Sequence, residues 1–196
     1  NIMGTIKATN IEPIADNGTV TLGSSGDTFT VPSGVTVNMS SATQTGVGGV
    51  MTPAFSVYLS STQDISGAGT MTRCNFNTEL LDTDNAYDNS SNYRFTPQTA
   101  GKYALFATIR GFTGSGDYNA YSIQLRKNNT AIGRSDLNMS SNVLGGGANV
   151  TIPISIVADA NGSSDYFDVY FSANNANFKA EGGTATNFFG YKIIGA

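Results

Sequence analysis

The stretch FNTELLDTDNAYDNSSNYRFTPQTAGKYALFATI, residues 76–109, places single aromatic residues at wide intervals and ends in a run of alternating apolar residues. Alternate residues of a β-strand share one face. One face of this run is therefore formed by Tyr103, Leu105, Ala107 and Ile109. Phe106 falls on the opposite face, so the run predicts a strand that is buried on one side and needs cover on the other.

Strand patterns continue on both sides of this stretch. Similar short runs lie at residues 55–59, 72–76, 93–95, 121–125, 130–134, 150–156, 166–171 and 188–194. Turn signals separate them at residues 127–130, 145–147 and 159–163. Eight to ten strands at this spacing predict an all-β fold, a two-sheet jelly roll. Pro153 predicts that its strand lies at a sheet edge or contains a bulge.

The composition excludes several classes of function. Gly, Ser, Thr and Asn make up 86 of the 196 residues, His is absent and there is one Cys. The commonest general base, the commonest metal ligand and any disulfide framework are therefore missing. The 10 basic and 14 acidic residues do not favour a nucleic-acid partner, which requires clustered positive charge. No apolar run approaches the roughly 18 residues of a membrane helix, so no membrane insertion is expected.

The first fifty residues differ from the rest in their pattern of apolar and small polar residues. Short alternating runs lie at residues 19–22, 27–32 and 35–37, with Gly-rich breaks between them. Each run has too few apolar residues to form a core alone, so copies of the chain around a threefold axis would have to supply its partners. We predict a β-rich shaft or arm and linker at residues 1–50 and a head domain at residues 51–196. A flexible leader is the alternative interpretation.

A signature within the opening stretch carries a resemblance to a known family. It consists of Phe76, Asp82, Tyr87, Phe95, Pro97 and Gly101-Lys102-Tyr103, together with the ending FGYKII at residues 189–194. This pattern resembles the globular heads of the complement C1q family, jelly rolls related to tumour necrosis factor (TNF), over residues 52–196. The resemblance implies a homotrimer whose apical loops are presented to a partner.

The leader carries a second resemblance. Residues 22–34, LGSSGDTFTVPSG, are similar to low-complexity repeats of tail-fibre and other appendage proteins of bacteriophages, marine ones especially. The combination predicts a virion structural protein, a tail or head fibre outside the particle, whose head contacts a glycan or protein of the host surface. Its N-terminal segment would contact other virion proteins. The alternatives are a capsid or appendage decoration protein without a receptor and a secreted bacterial lectin-like adhesin.

Two loops rich in aromatic and amide side chains, residues 112–119 and 172–179, are the candidate ligand site. Aromatic rings stack on sugar faces, and amides and carboxylates bind hydroxyl groups. The candidate ligand-binding residues are Phe112, Asp117, Tyr118, Asn119, Asn174, Asn175 and Phe178. Ordinary turn chemistry, with the rings tucked under the sheet, is the alternative. The outward aromatics Phe106, Tyr166 and Tyr170 are the candidate trimer interface.

The remaining chemistry-bearing residues indicate no enzyme and no cofactor. The acidic segment between Asp82 and Asp88 invites comparison with a calcium loop, but an EF-hand would need Gly where Tyr87 stands. Turns capped by Asp are the preferred interpretation, with calcium as the alternative. Cys74 shares a strand face with Phe76 and is expected to be a small buried apolar residue.

Overall fold

A computed structural model describes residue 11 and residues 19–37, 51–139 and 144–194. The chain divides into two units, Asn1–Thr45 and Gly46–Ala196. In the first unit, described residues 19–37 contain two turns, with hydrogen bonds from Asp27 N to Ser24 O (2.9 Å) and from Val35 N to Pro32 O (3.2 Å).

The three predicted runs of the shaft form no strand within the single chain, as far as residues 19–37 show. Val20, Leu22 and Phe29 are exposed there. The physical reason is the one given by the sequence, because runs this short bury too little to be stable alone. That they pair between copies stays a prediction.

The second unit is all-β, and its described residues contain thirteen strands and no helix. The longer strands are β1 (Ala54–Leu59), β4 (Thr78–Asp82), β7 (Ala100–Thr113), β8 (Ala120–Lys127), β9 (Thr130–Asn138), β10 (Val150–Asn161), β11 (Phe167–Ala173) and β13 (Gly183–Lys192). The short ones are β2 (Gln63–Asp64), β3 (Thr72–Arg73), β5 (Tyr87–Asp88), β6 (Arg94–Phe95) and β12 (Phe178–Ala180).

The strands form two antiparallel sheets, as the sequence predicts. Sheet A has the order β2-β12-β7-β13-β1-β4, and β10 pairs with β7. Sheet B has the order β5-β6-β11-β8-β9, and β3 pairs with β11. Burial alternates along β1 and along most of β7, so each of these strands has an inward and an outward face. The core lies between the inward faces.

Three aromatic residues of the signature, Tyr87, Phe95 and Tyr103, pack with Phe55 and Phe188 in one cluster inside this core. Phe55 stacks on Phe95 with ring centroids 4.2 Å apart, and Phe95 meets Tyr103 edge-on at 5.6 Å. Tyr87 lies 5.4 Å from Phe55, and Phe188 contacts Phe55 from the last strand at 4.8 Å. Aromatic pairs at these separations add to the free energy of burial. The spacing of the signature thus reflects residues that meet in the core.

Two local predictions are confirmed. Asn128 and Asn129 have φ of 50° and 67° and join β8 to β9, the geometry of a two-residue type I′ hairpin turn. Pro153 lies in β10, which among the described strands pairs only with β7 and is therefore an edge strand.

The thiol of Cys74 is inaccessible. Cys74 and Phe76 are both fully buried, which confirms the face predicted for them. Burial raises the pKa of the Cys74 thiol well above its usual value. The side chain therefore acts as part of the apolar core.

Among the described residues there is no helix long and apolar enough to cross a membrane.

Candidate functional site

The two loops predicted as a ligand site meet at one end of the sandwich. The amide nitrogen Nδ2 of Asn175 donates hydrogen bonds to Ser115 O (3.2 Å) and Asp117 O (2.9 Å). Gly114 N donates to Asn177 O at 3.2 Å. The structure thus brings together side chains that are about sixty residues apart in the sequence.

The amides of this end hold the loops to one another. Asn174 Oδ1 accepts hydrogen bonds from Asn119 N (3.2 Å) and Ala120 N (3.1 Å), and Asn174 Nδ2 donates to Asn119 Oδ1 at 2.6 Å. The side-chain amides of Asn119, Asn174 and Asn175 are therefore already hydrogen-bonded within the protein. Asp117 and Asn174 are exposed, and Phe112, Asn119 and Asn175 are half-buried.

Tyr118 and Phe178 are not surface residues, which corrects the sequence-based expectation for them. Both are 0% exposed, and their rings meet edge-on with centroids 5.1 Å apart. The Tyr118 hydroxyl donates to Ala148 O at 3.0 Å. The Phe178 ring covers Gly111, where any Cβ would overlap it. Neither ring has a free face for a sugar, and the alternative of rings tucked under the sheet describes them.

The outward face of sheet A is aromatic and accessible. Phe106, Phe189 and Tyr191 stack there. The ring centroid of Phe106 lies 5.0 Å from that of Phe189 and 6.2 Å from that of Tyr191. Val157 joins them from the edge strand β10 and is 59% exposed, and Phe189 is 38% exposed. We call these four residues the outer aromatic cluster. Its position agrees with the outward face expected for Phe106.

Strand register explains why the outer aromatic cluster forms. Phe106 of β7 lies opposite Phe189 of β13, and Tyr191 and Val157 both lie opposite Ala104. Residues directly opposite in antiparallel strands share a face, so separate sequence positions converge on one patch. A cleft of about 290 Å³ opens between Phe106, Pro153 and Phe189. The patch is therefore apolar and indented.

Tyr166 and Tyr170 belong to a different surface, which corrects their grouping with Phe106. Tyr170 lies in β11 of sheet B, and Tyr166 directly precedes this strand. Each ring is already covered by an arginine: the guanidinium of Arg94 lies 4.2 Å from the Tyr166 ring centroid, and that of Arg126 lies 3.9 Å from the Tyr170 centroid. Cation–π contacts at this distance are favourable. These tyrosines obtain their cover within the chain.

Asp168, between these tyrosines, is a charged residue that the sequence reasoning missed. It is 1% exposed, and among the described residues its Oδ1 has no hydrogen-bond partner. Burial raises its pKa to about 6, against the opposing positive charges of Arg73, Arg126 and Arg94. A single carboxylate inside the aromatic run YFDVYF was the available signal.

The acidic segment tested against a calcium loop forms capped turns. Asp82 Oδ1 and Oδ2 accept hydrogen bonds from Ala86 N (3.0 Å) and Tyr87 N (2.9 Å). Asp88 accepts backbone N–H groups of the turn that follows it, and the one from Ser91 contributes most to holding its pKa far below the usual value. Within the described part of the chain, no group of three or more His, Cys, Asp or Glu is placed to hold a metal ion.

Comparisons with known proteins identify the fold. No protein-family model matches the chain, and no match is found among the curated proteins. Among solved structures, the chain is similar to Eiger TNF from S. frugiperda, with a TM-score of 0.56 and 10% sequence identity, over 73% of this chain and 93% of that chain. It is also similar to murine APRIL, with a TM-score of 0.52 and 12% identity, over 71% of this chain and 98% of that one.

These similarities place the head in a fold class. The all-β sandwich is a TNF-like jelly roll, the fold that the signature residues predict. At 10% and 12% identity the likeness concerns the fold alone, because one fold serves many unrelated functions.

Proposed function

We propose that the chain is the subunit of a homotrimeric, non-enzymatic attachment protein, a tail or head fibre of a bacteriophage virion whose TNF-like head contacts the host surface. The observation that carries the proposal is the outer aromatic cluster, which lies exposed on sheet A of the single chain. The phage context comes from the resemblance of residues 22–34 to appendage repeats.

The outer aromatic cluster is suited to contact with further copies of the chain. Contiguous exposed apolar patches mark interfaces, and aromatic residues are enriched in their centres. Leu81 of β4 extends the patch, because it lies opposite Ser56, which in turn lies opposite Phe189. Leu81 is 49% exposed. A closed arrangement of three copies, the assembly that the resemblance implies, would cover this strip on every subunit.

Attachment also agrees with the chemistry of the chain. There is no His, and Cys74 is buried, so nucleophilic catalysis of the usual kinds has no basis in these residues. Three identical heads on one shaft raise the effective concentration at a surface, so weak single contacts suffice for attachment. The shaft is proposed to be residues 1–50, with exposed Leu22 and Phe29 paired between copies.

Light scattering on the full chain tests the assembly. The mass in solution should be three times that of the 20.4 kDa chain. Phe189→Ser should shift the protein toward monomer, because it removes a central ring of the cluster. Tyr170→Ser, the same type of change on sheet B, should leave the trimer intact. A wild-type monomer, or equal dissociation in both variants, contradicts the proposal.

Immuno-electron microscopy tests the place of the protein on a particle. Antibody against the purified chain should label virions of its source at the distal end of a fibre. Labelling confined to the capsid surface would instead indicate a decoration protein. Particles without label would contradict the proposal that the chain is a virion protein.

A further inference from the structure

On sheet B the outward face carries a polar cleft of about 350 Å³. Its walls include Ser122 and Gln124 of β8 and Arg134 and Asn138 of β9. Register brings them together, because Gln124 lies opposite Arg134 and Ser122 lies opposite Asp136. A volume of this size is at the lower end of the range for small-molecule sites, which begins at about 300 Å³.

The cleft is held in shape by its own hydrogen bonds. Arg134 Nε donates to Asp136 Oδ1 at 2.7 Å, and Arg134 Nη2 donates to Ser122 Oγ at 3.0 Å. The Ser122 hydroxyl donates to the same Asp136 carboxylate. Partial burial raises the pKa of the Asp136 carboxyl. The hydrogen bonds from Ser122 and Arg134 outweigh this effect and hold the pKa below its usual value. The carboxylate is therefore ionised and paired at neutral pH.

Polar groups remain available to a ligand. Gln124 Oε1 accepts from Arg126 Nε (3.0 Å) and Nη2 (2.9 Å), which fixes the orientation of the amide. In the part of the chain that the structure describes, Gln124 Nε2 has no hydrogen-bond partner. The Asn138 side chain is exposed at the same cleft. Met71 and Ala120 add apolar surface to the lining.

These features select a class of ligand. Among the described residues that line the cleft, Arg134 is the charged one, and its charge is balanced by Asp136. Oriented amide and hydroxyl groups beside small apolar surfaces match a molecule with hydroxyl groups and C–H faces. We propose that this cleft binds a neutral saccharide, one or two sugar rings of a surface glycan. The inference rests on the proposed attachment function and names its ligand and site.

The place of the cleft supports this assignment. The outer aromatic cluster occupies the outward face of sheet A, and the cleft occupies the outward face of sheet B. Contact between copies through sheet A thus leaves the cleft of each subunit accessible. A trimer would present three such sites, which is the arrangement that multivalent binding of weak ligands requires.

Binding of the full chain to an array of immobilised neutral, uronate-bearing and sulfated oligosaccharides tests the proposal. Wild type should bind members of the neutral set. Gln124→Ala and Asn138→Ala should each weaken this binding about tenfold, the effect of losing roughly 1.4 kcal/mol of contact. Gln98→Ala, a matched change at an exposed glutamine outside the cleft, should change binding less than twofold. Unchanged melting and mass would show that each variant is folded.

The outcomes separate this inference from the proposed function. Binding that Gln124→Ala leaves unchanged, a preference for the charged sets, or no binding to any neutral member overturns the saccharide site, even when the protein is a trimer. A monomer whose binding still depends on Gln124 and Asn138 would support the site while contradicting the trimeric attachment protein.

Discussion

Asp168 shows how one buried carboxylate makes the stability of the sandwich depend on pH. Burial raises its pKa from the usual 3.8 to about 6, despite three arginines nearby. The folded state therefore binds the proton more tightly than the unfolded state. Stability from this group is present at low pH and is lost as pH rises between these two values. Because one pKa unit corresponds to about 1.4 kcal/mol, the loss is at most about 3 kcal/mol.

Asp168→Asn should remove this pH dependence. The amide is neutral at every pH, so the free energy of unfolding of wild type should fall relative to that of the variant between about pH 4 and pH 6. At pH 7.5 the variant should be at least as stable as wild type. Denaturant unfolding of both proteins across this pH range measures the difference between them, and a difference that does not change with pH contradicts the assignment.

Gly111 is required by the close approach of the Phe178 ring. A Cβ at this position would lie 2.6 Å from Phe178 Cε1, inside a packed core. Gly111→Ala should therefore lower the free energy of unfolding by about 1–3 kcal/mol, the usual cost of overpacking. Gly145→Ala is the control, because its nearest neighbour would be 3.8 Å away. Equal effects in the two variants would show that the contact with Phe178 is not the cause.

At the scale of elements, the turn between β8 and β9 depends on backbone that only a few residues adopt. Asn129 has φ of 67°. Asn129→Gly should change the free energy of unfolding by less than about 0.5 kcal/mol, whereas Asn129→Val should lower it by about 1–2 kcal/mol, because a β-branched residue is strained at positive φ. Thermal melting of the two variants compares them directly. Similar melting temperatures would contradict the type I′ assignment.

Most of the long strands were predictable, and most of the short ones were not. All nine predicted runs of the head contain or overlap strands, because alternation over five or more residues or a flanking turn marks them. β2, β5 and β12 have only two or three residues, too few for a period to show, and β4 was not predicted because its sequence TELLD does not alternate. Tertiary pairing creates these strands: β12, for example, pairs with β7 and β2.

The burial of the candidate ligand-binding residues also depends on tertiary contacts that local sequence patterns do not contain. The sequence places Tyr118 and Phe178 in polar loops, and the structure joins these loops through Asn174 and Asn175. Burial of the Phe178 ring depends on Gly111, which is distant from it along the chain and leaves room under the ring. The polar cleft of sheet B depends on register across three strands, which no local pattern contains.

For the whole molecule, the two outward faces differ in character, apolar on sheet A and polar on sheet B. The head also contains its own core between the sheets, formed from residues 55–188. A chain beginning at residue 51 should therefore fold by itself. Circular dichroism should show a β-sheet spectrum and one cooperative melting transition. A spectrum of unfolded chain would mean that the first fifty residues are needed for the head to fold.

The burial of Cys74 also has a practical consequence. It is the one cysteine in the sequence and is 0% exposed. A thiol reagent reaches it only when the two sheets separate, so the labelling rate at high reagent concentration measures how often the native sandwich opens. Labelling compared across protein concentrations would show whether association of copies slows that opening, with no probe introduced into the chain.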